Sequence, residues 1–139
     1  MILLDTDHLS VLQVPSSDRR TRLVARLALA GDEVVGTTIV SAEEQVKGWL
    51  TAIARERQSR RQVRAYRGLS DSFGFFRPFH MAPFDEQAAD LFDSFASLRV
   101  GTMDRKIAAI AIVNHALLLT ANRRDYEKIP GLRFDNWMD

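Results

Sequence analysis

Five positions far apart in the chain carry oxygen donors of the kind that handle phosphate esters: Asp5, Glu44, Asp104, Asn122 and Asp125. Asp5 ends the apolar run Met1 to Leu4, which reads as a strand buried on both faces. Glu44 lies one helical turn beyond a second strand. Asp104 lies in the first turn of a long apolar helix, and Asn122 and Asp125 follow the run Leu117 to Thr120. In an open parallel sheet, ligands sit outside the carboxyl ends of the strands. Crossover helices begin at that same edge, so all of these segments deliver their side chains to one rim. Crowded carboxylates repel, which raises the pKa of some of them, and a cation relieves the cost. The chain has no cysteine, and His8, His80 and His115 show no metal-ligand spacing. Oxygen donors alone favour magnesium or manganese. Such an ion can polarise a phosphate and lower the pKa of a bound water.

Each acid also has an ordinary structural explanation. Asp5 and Asp7 are good caps for a following helical turn. Glu44 stands three residues after Ser41 and fits a capping box. Asp104 would be favourable at any helix N-terminus, and Asp125 could cap a short helix.

The elements that must position these residues alternate. His8 to Leu12 suits a helical turn, and Ser17-Asp18 a cap for a helix with Leu23, Leu27 and Ala30 on one face. Val34 to Val40 is β-branched and predicts the second strand. A helix follows, past Trp49 and Ile53. From Arg55 to Phe79 the chain is basic and then aromatic, with Val63, Tyr66, Leu69, Phe73 and Phe76 at helical spacing. Met81 to Phe84 reads as a short strand at a sheet edge, where proline is tolerated. Asp85 caps another helix. Met103 to His115 is apolar nearly all round and predicts a deeply buried helix. Leu117 to Thr120 and Leu132 to Trp137 read as the last strands. The pattern predicts a parallel α/β sheet with right-handed crossovers. With no repeat, low-complexity segment or linker, residues 1–139 read as one domain.

The composition is 46% hydrophobic and 27% charged, which suits a globular chain rather than a disordered one. Without an apolar run long enough to span a bilayer, and without a basic stretch before the first strand, a cytoplasmic location is expected. Net charge is only +1, too small to indicate a nucleic-acid partner. Its distribution says more, because 16 of the 19 basic residues are arginine and six of those lie between Arg55 and Arg67. Arginine matches phosphate geometry well. Arg60, Arg61 and Arg64 are therefore candidates for RNA backbone contact, against the ordinary reading of a solvated helix face.

The sequence resembles the PIN-domain family, and within it the VapC-type toxins of toxin–antitoxin systems. The resembling segments are Leu3–Ser10, Ser41–Gly48, Asp104–Ala111 and Leu119–Leu132, in the family's order. The resemblance implies an α/β/α sandwich with a central parallel sheet of about five strands. It places the family's acids on Asp5, on Glu44 with the register set by Gly48, and on Asp104. The fourth acidic position falls between Asn122 and Asp125, with Thr120 and Asp7 as further neighbours. What it implies for function is a magnesium-dependent endoribonuclease that forms a homodimer and is inhibited by a cognate antitoxin. Phe73, Phe75, Phe76 and Phe79 crowd into seven residues. Phe75 and Phe79 are candidates to receive an amphipathic antitoxin segment. Two other functions compete. Asp5-Thr6-Asp7 begins a haloacid-dehalogenase-type phosphatase motif, although its fifth position is Leu9. The second is a metal-free RNA- or protein-binding module on the same fold, in which the acids serve only as caps.

Overall fold

A computed structural model describes all residues from Met1 to Asp139. Its elements are β1 (Ile2–Leu4), α1 (Thr6–Gln13), α2 (Asp18–Leu29), β2 (Val35–Thr38), α3 (Ile39–Arg55) and α4 (Ser59–Phe76). They continue with β3 (His80–Ala82), α5 (Glu86–Ser94), α6 (Thr102–Val113), β4 (Leu117–Leu119), α7 (Arg123–Tyr126) and β5 (Arg133–Asp135). The five strands form one sheet in the order β3-β2-β1-β4-β5, and every pairing is parallel. The chain builds outward from β1 through β2 to β3, then returns to lay β4 on the other side of β1. The strand order therefore reverses between β1 and β4, and a crevice opens above their carboxyl ends.

Alternation along the central strands sorts two cores. Leu3 and Leu118 face a cluster built with α5, α6 and α7. Ile2, Leu4 and Leu119 face the other side, against Leu9, Leu23, Ala42 and Phe76 of α1 to α4. Ile107 to Ala111 of α6 are wholly buried, as an all-round apolar helix should be. The architecture is the expected three-layer sandwich.

Two expectations need correction. The second strand stops at Thr38, and Ile39 and Val40 belong to α3. The reason is local. Thr38 Oγ1 accepts the backbone N–H of Ser41 at 3.0 Å, so Thr38 is the cap and the helix starts three residues early. Ser41 then lies inside the helix and its hydroxyl meets that of Thr38 at 3.1 Å. No capping box forms at Glu44.

The second correction concerns α4. Val63, Tyr66 and Phe73 do keep helical spacing, but they are 51%, 55% and 64% exposed. Of that series Phe76 is buried, and it shares the inner face with Ala65, Gly68 and Ser72. The small Ala65, Gly68 and Ser72 let α4 lie close to α3. At Gly68 an added Cβ would stand only 2.3 Å from the Trp49 ring, so any side chain there would displace the indole.

Candidate metal centre at the sheet edge

Asp5 leaves β1 at the crevice and is 6% exposed. Its Oδ1 accepts the Thr6 N–H at 2.8 Å, capping α1. Its Oδ2 accepts the Thr120 hydroxyl at 2.9 Å, and the Tyr126 hydroxyl stands 3.2 Å away. The same Tyr126 oxygen lies 3.3 Å from Asp104 Oδ1. One hydroxyl has one proton, so it cannot quench both carboxylates at once. β1 and α6, distant in sequence, thus hold an acid pair around a single phenol.

The electrostatics follow from that arrangement. Burial, helped by the charges of Asp7 and Asp104, pushes the Asp5 carboxyl up to about 6. Asp104 is also raised, by burial first and by Asp125 and Asp7 next, against the lowering bond from Tyr126. Glu44 is raised by burial, with Asp104 and Glu43 adding to it. Burial beside Asp5 and Asp104 drives Tyr126 far above the usual phenol range, so it remains a hydroxyl donor.

Glu44 reaches the rim from α3, where Thr6 Oγ1 donates to its Oε1 at 3.0 Å. The first-turn threonine of α1 therefore holds Glu44 at the rim, where the charge of Asp104 reaches it. Asn122 Nδ2 donates to Asp104 Oδ2 at 3.3 Å and to Asp125 Oδ2 at 3.2 Å. At the fourth position, then, Asn122 touches Asp104 directly, while Asp125 stands behind it with Lys128 at 3.7 Å.

Asp7 has a different employment. Its Oδ2 accepts the Ala121 N–H at 2.8 Å and its Oδ1 meets His8 Nδ1 at 2.7 Å. His8 is fully buried and its Nε2 accepts the Trp137 N–H at 3.3 Å. Asp7 and His8 thus tie α1 to the C-terminal segment.

No three acids or histidines close into a ready coordination cluster. Magnesium does not need one, because it keeps several waters and uses one or two protein carboxylates. Asp5 and Asp104 meet that requirement, and their raised pKa values mark a charge deficit that a cation would fill.

The remaining candidates lie elsewhere. Gln62 Nε2 bonds Ile53 O at 3.2 Å and Glu56 O at 3.0 Å, so Arg60, Arg61 and Arg64 stand at the far tip of the α3–α4 hairpin. Nine residues of α3 separate Glu44 from Ile53, roughly 14 Å along the axis. Phe75 and Phe79 are half-buried against the second core with ring centroids 5.3 Å apart. The exposed ring of that group is Phe73, beside Ile39, Val46, Met81 and Phe84 in a groove of about 510 Å³. α4 stays regular through Gly74, so neighbouring rings diverge as helix geometry requires. Sequence reasoning missed Tyr126. Its signal was a tyrosine two turns past a strand end, whose buried hydroxyl must find a partner.

No protein-family model matches the sequence, and no curated protein is similar to it. Solved structures do match along the whole chain. A chain of VapBC2 from Rickettsia felis, bound to a DNA fragment from their promoter, is 19% identical with a TM-score of 0.74, covering 99% of each chain. A chain of DNA-bound VapBC from Salmonella typhimurium is 24% identical with a TM-score of 0.73, again covering 99% of each. A chain of a toxin–antitoxin complex from Klebsiella pneumoniae is 18% identical with a TM-score of 0.56, covering 95% of each. These likenesses establish the fold as a PIN-like α/β/α sandwich. The first two neighbours are VapBC complexes and the third is a toxin–antitoxin complex, the class that the four sequence segments suggested. No helix is long and apolar enough to cross a membrane.

Proposed function

We propose that this chain is a VapC-type toxin, a divalent-cation-dependent endoribonuclease held in check by a cognate antitoxin. One observation carries the reading: a buried acid and a half-buried one, both with raised pKa values, share one phenol at the switch point of a parallel sheet. Asp5 and Asp104 would hold magnesium or manganese. When bound, the ion would polarise the scissile phosphate and acidify an attacking water. Thr120 and Tyr126 orient the two carboxylates. Glu44 Oε1 is fixed by Thr6, while Oε2 has no partner in the chain and is free to take a proton from water. Asn122 anchors Asp104 on its other side.

The phosphatase alternative loses support at two residues. Asp7 is committed to His8 and Ala121, and Leu9 is fully buried where that motif has threonine. The binding-module alternative explains Asp5 as a cap, but Glu44 and Asp104 cap nothing through their side chains.

For the antitoxin we favour the groove under Phe73 over the half-buried Phe75 and Phe79. A homodimer and backbone contact by Arg60, Arg61 and Arg64 belong to the same reading, the arginines as distant phosphate contacts. The test is cleavage of single-stranded RNA with magnesium and with EDTA. Metal-dependent cutting that Asp104→Asn abolishes is expected. Undiminished cutting in EDTA, or phosphate release from small phosphoesters instead of RNA cleavage, overturns the proposal.

A further inference from the structure

On α3, Glu44, Gly48, Thr51 and Arg55 recur at the spacing of one helix face. Two clefts flank that ridge. One, of about 330 Å³, is lined by Thr6, Glu44, Gly48 and Trp49. The other, of about 460 Å³, is lined by Glu44, Lys47, Gly48 and Arg55. Glu44 and Gly48 border both, so the acid rim opens directly onto them.

Gly48 has no packing reason to be glycine. A Cβ there would meet nothing within 4 Å, and glycine inside a helix costs stability. Gly68 offers the contrast, since Trp49 fills the space a side chain would need. That contact fixes the indole, which also lines the cleft beside Glu44. Lys47 and Arg55 are exposed and neither is in an ion pair.

We propose that this ridge is the track for single-stranded RNA next to the acids. The strand crosses the low saddle at Gly48, stacks one base on the pinned Trp49 and sets phosphates against Lys47 and Arg55. Aromatic rings take any base by its π-face, and basic side chains follow the backbone. This inference rests on the nuclease reading for its substrate, but its test does not depend on cleavage.

In a protein carrying Trp137→Phe and Asp104→Asn, Trp49 is the one tryptophan left and the strand is not cut. Short oligoadenylate should quench its fluorescence, and an abasic strand of equal length should not. Trp49→Leu should lower oligoadenylate affinity about tenfold, read by a label on the strand, and leave the abasic strand unaffected. Gly48→Leu sets its Cβ in open space and should weaken oligoadenylate binding similarly, with a melting temperature that does not fall. It decides the matter should Trp49→Leu fail to fold. Lys47→Ala with Arg55→Ala should flatten the salt dependence. Equal quenching by both strands, unchanged affinity in Gly48→Leu, or no binding of oligoadenylate overturns the track. Magnesium-dependent cleavage by the unaltered chain, measured alongside, tells its failure from failure of the nuclease reading.

Discussion

Asp5 and Asp7 stand two residues apart at the start of α1, yet their carboxyls are driven in opposite directions. Asp5 is pushed up to about 6, by burial first and then by Asp7 and Asp104. Asp7 also suffers desolvation, but hydrogen bonds from His8 and the Ala121 N–H outweigh it and hold it below the usual range. The difference lies in what each faces. Asp7 has His8 beside it on α1 and faces the Ala121 N–H after β4, so a nitrogen stands at each of its oxygens. Asp5 also has a donor at each oxygen, the Thr6 N–H and the Thr120 hydroxyl, but it looks toward Asp104 of α6 and shares the Tyr126 hydroxyl with that second acid. One carboxylate is satisfied by the protein and works as a brace. Its neighbour is left short of positive charge, as a site that accepts a cation should be.

The largest test of this contrast is the rate of RNA cleavage. Asp5→Asn or Asp104→Asn should each lower it roughly a thousandfold, several kcal/mol of barrier. Asp7→Asn should lower it less than about tenfold, once corrected for the folded fraction. Glu44→Gln comes next, with a loss of about a hundredfold if Glu44 moves a proton. α3 should melt as before, because Thr38 rather than Glu44 caps it. Full activity in Glu44→Gln would return that residue to a structural role.

Stability should reverse the ranking. Asp5 has a folded pKa above its ordinary 3.8, so its penalty is absent below that pH and grows as pH rises through about 6. At pH 7 without metal, Asp5→Asn should therefore raise unfolding free energy, by up to about 3 kcal/mol. Asparagine can still cap α1. Asp7→Asn should instead lower stability by about 1–3 kcal/mol, because it disturbs the bonds to buried His8 and to Ala121. Denaturant titrations at pH 4 and pH 7 check both signs. The smallest effect is expected for Tyr126→Phe, about tenfold in rate. Its hydroxyl favours ionised Asp104, so its loss should move the acidic limb of the pH–rate profile upward.

Much of this was legible from residue order. The apolar run before Asp5, the all-apolar α6 and the cap at Asp85 are local signals that tertiary structure left intact. What misled were residues with two local uses. Thr38 and Ser41 can each cap a helix, and Ile39-Val40 look like strand; the choice fell to Thr38, whose hydroxyl already sits at the sheet end. The α4 stripe misled because small residues on the other face pack closer to Trp49 than phenylalanine could. Tyr126 was missed because its partners, Asp5 and Asp104, lie 121 and 22 residues away, so its place in the chain did not reveal what its hydroxyl would meet.

The contrast between the two aspartates can be measured directly by carbon-13 NMR titration of their side-chain carboxyls, without metal and with saturating magnesium. Asp5 should titrate near 6 in the metal-free protein and fall well below its ordinary value when magnesium is added, while Asp7 stays low throughout. An Asp5 carboxyl that titrates as an ordinary aspartate and ignores magnesium, or a magnesium response at Asp7 instead, would contradict the account.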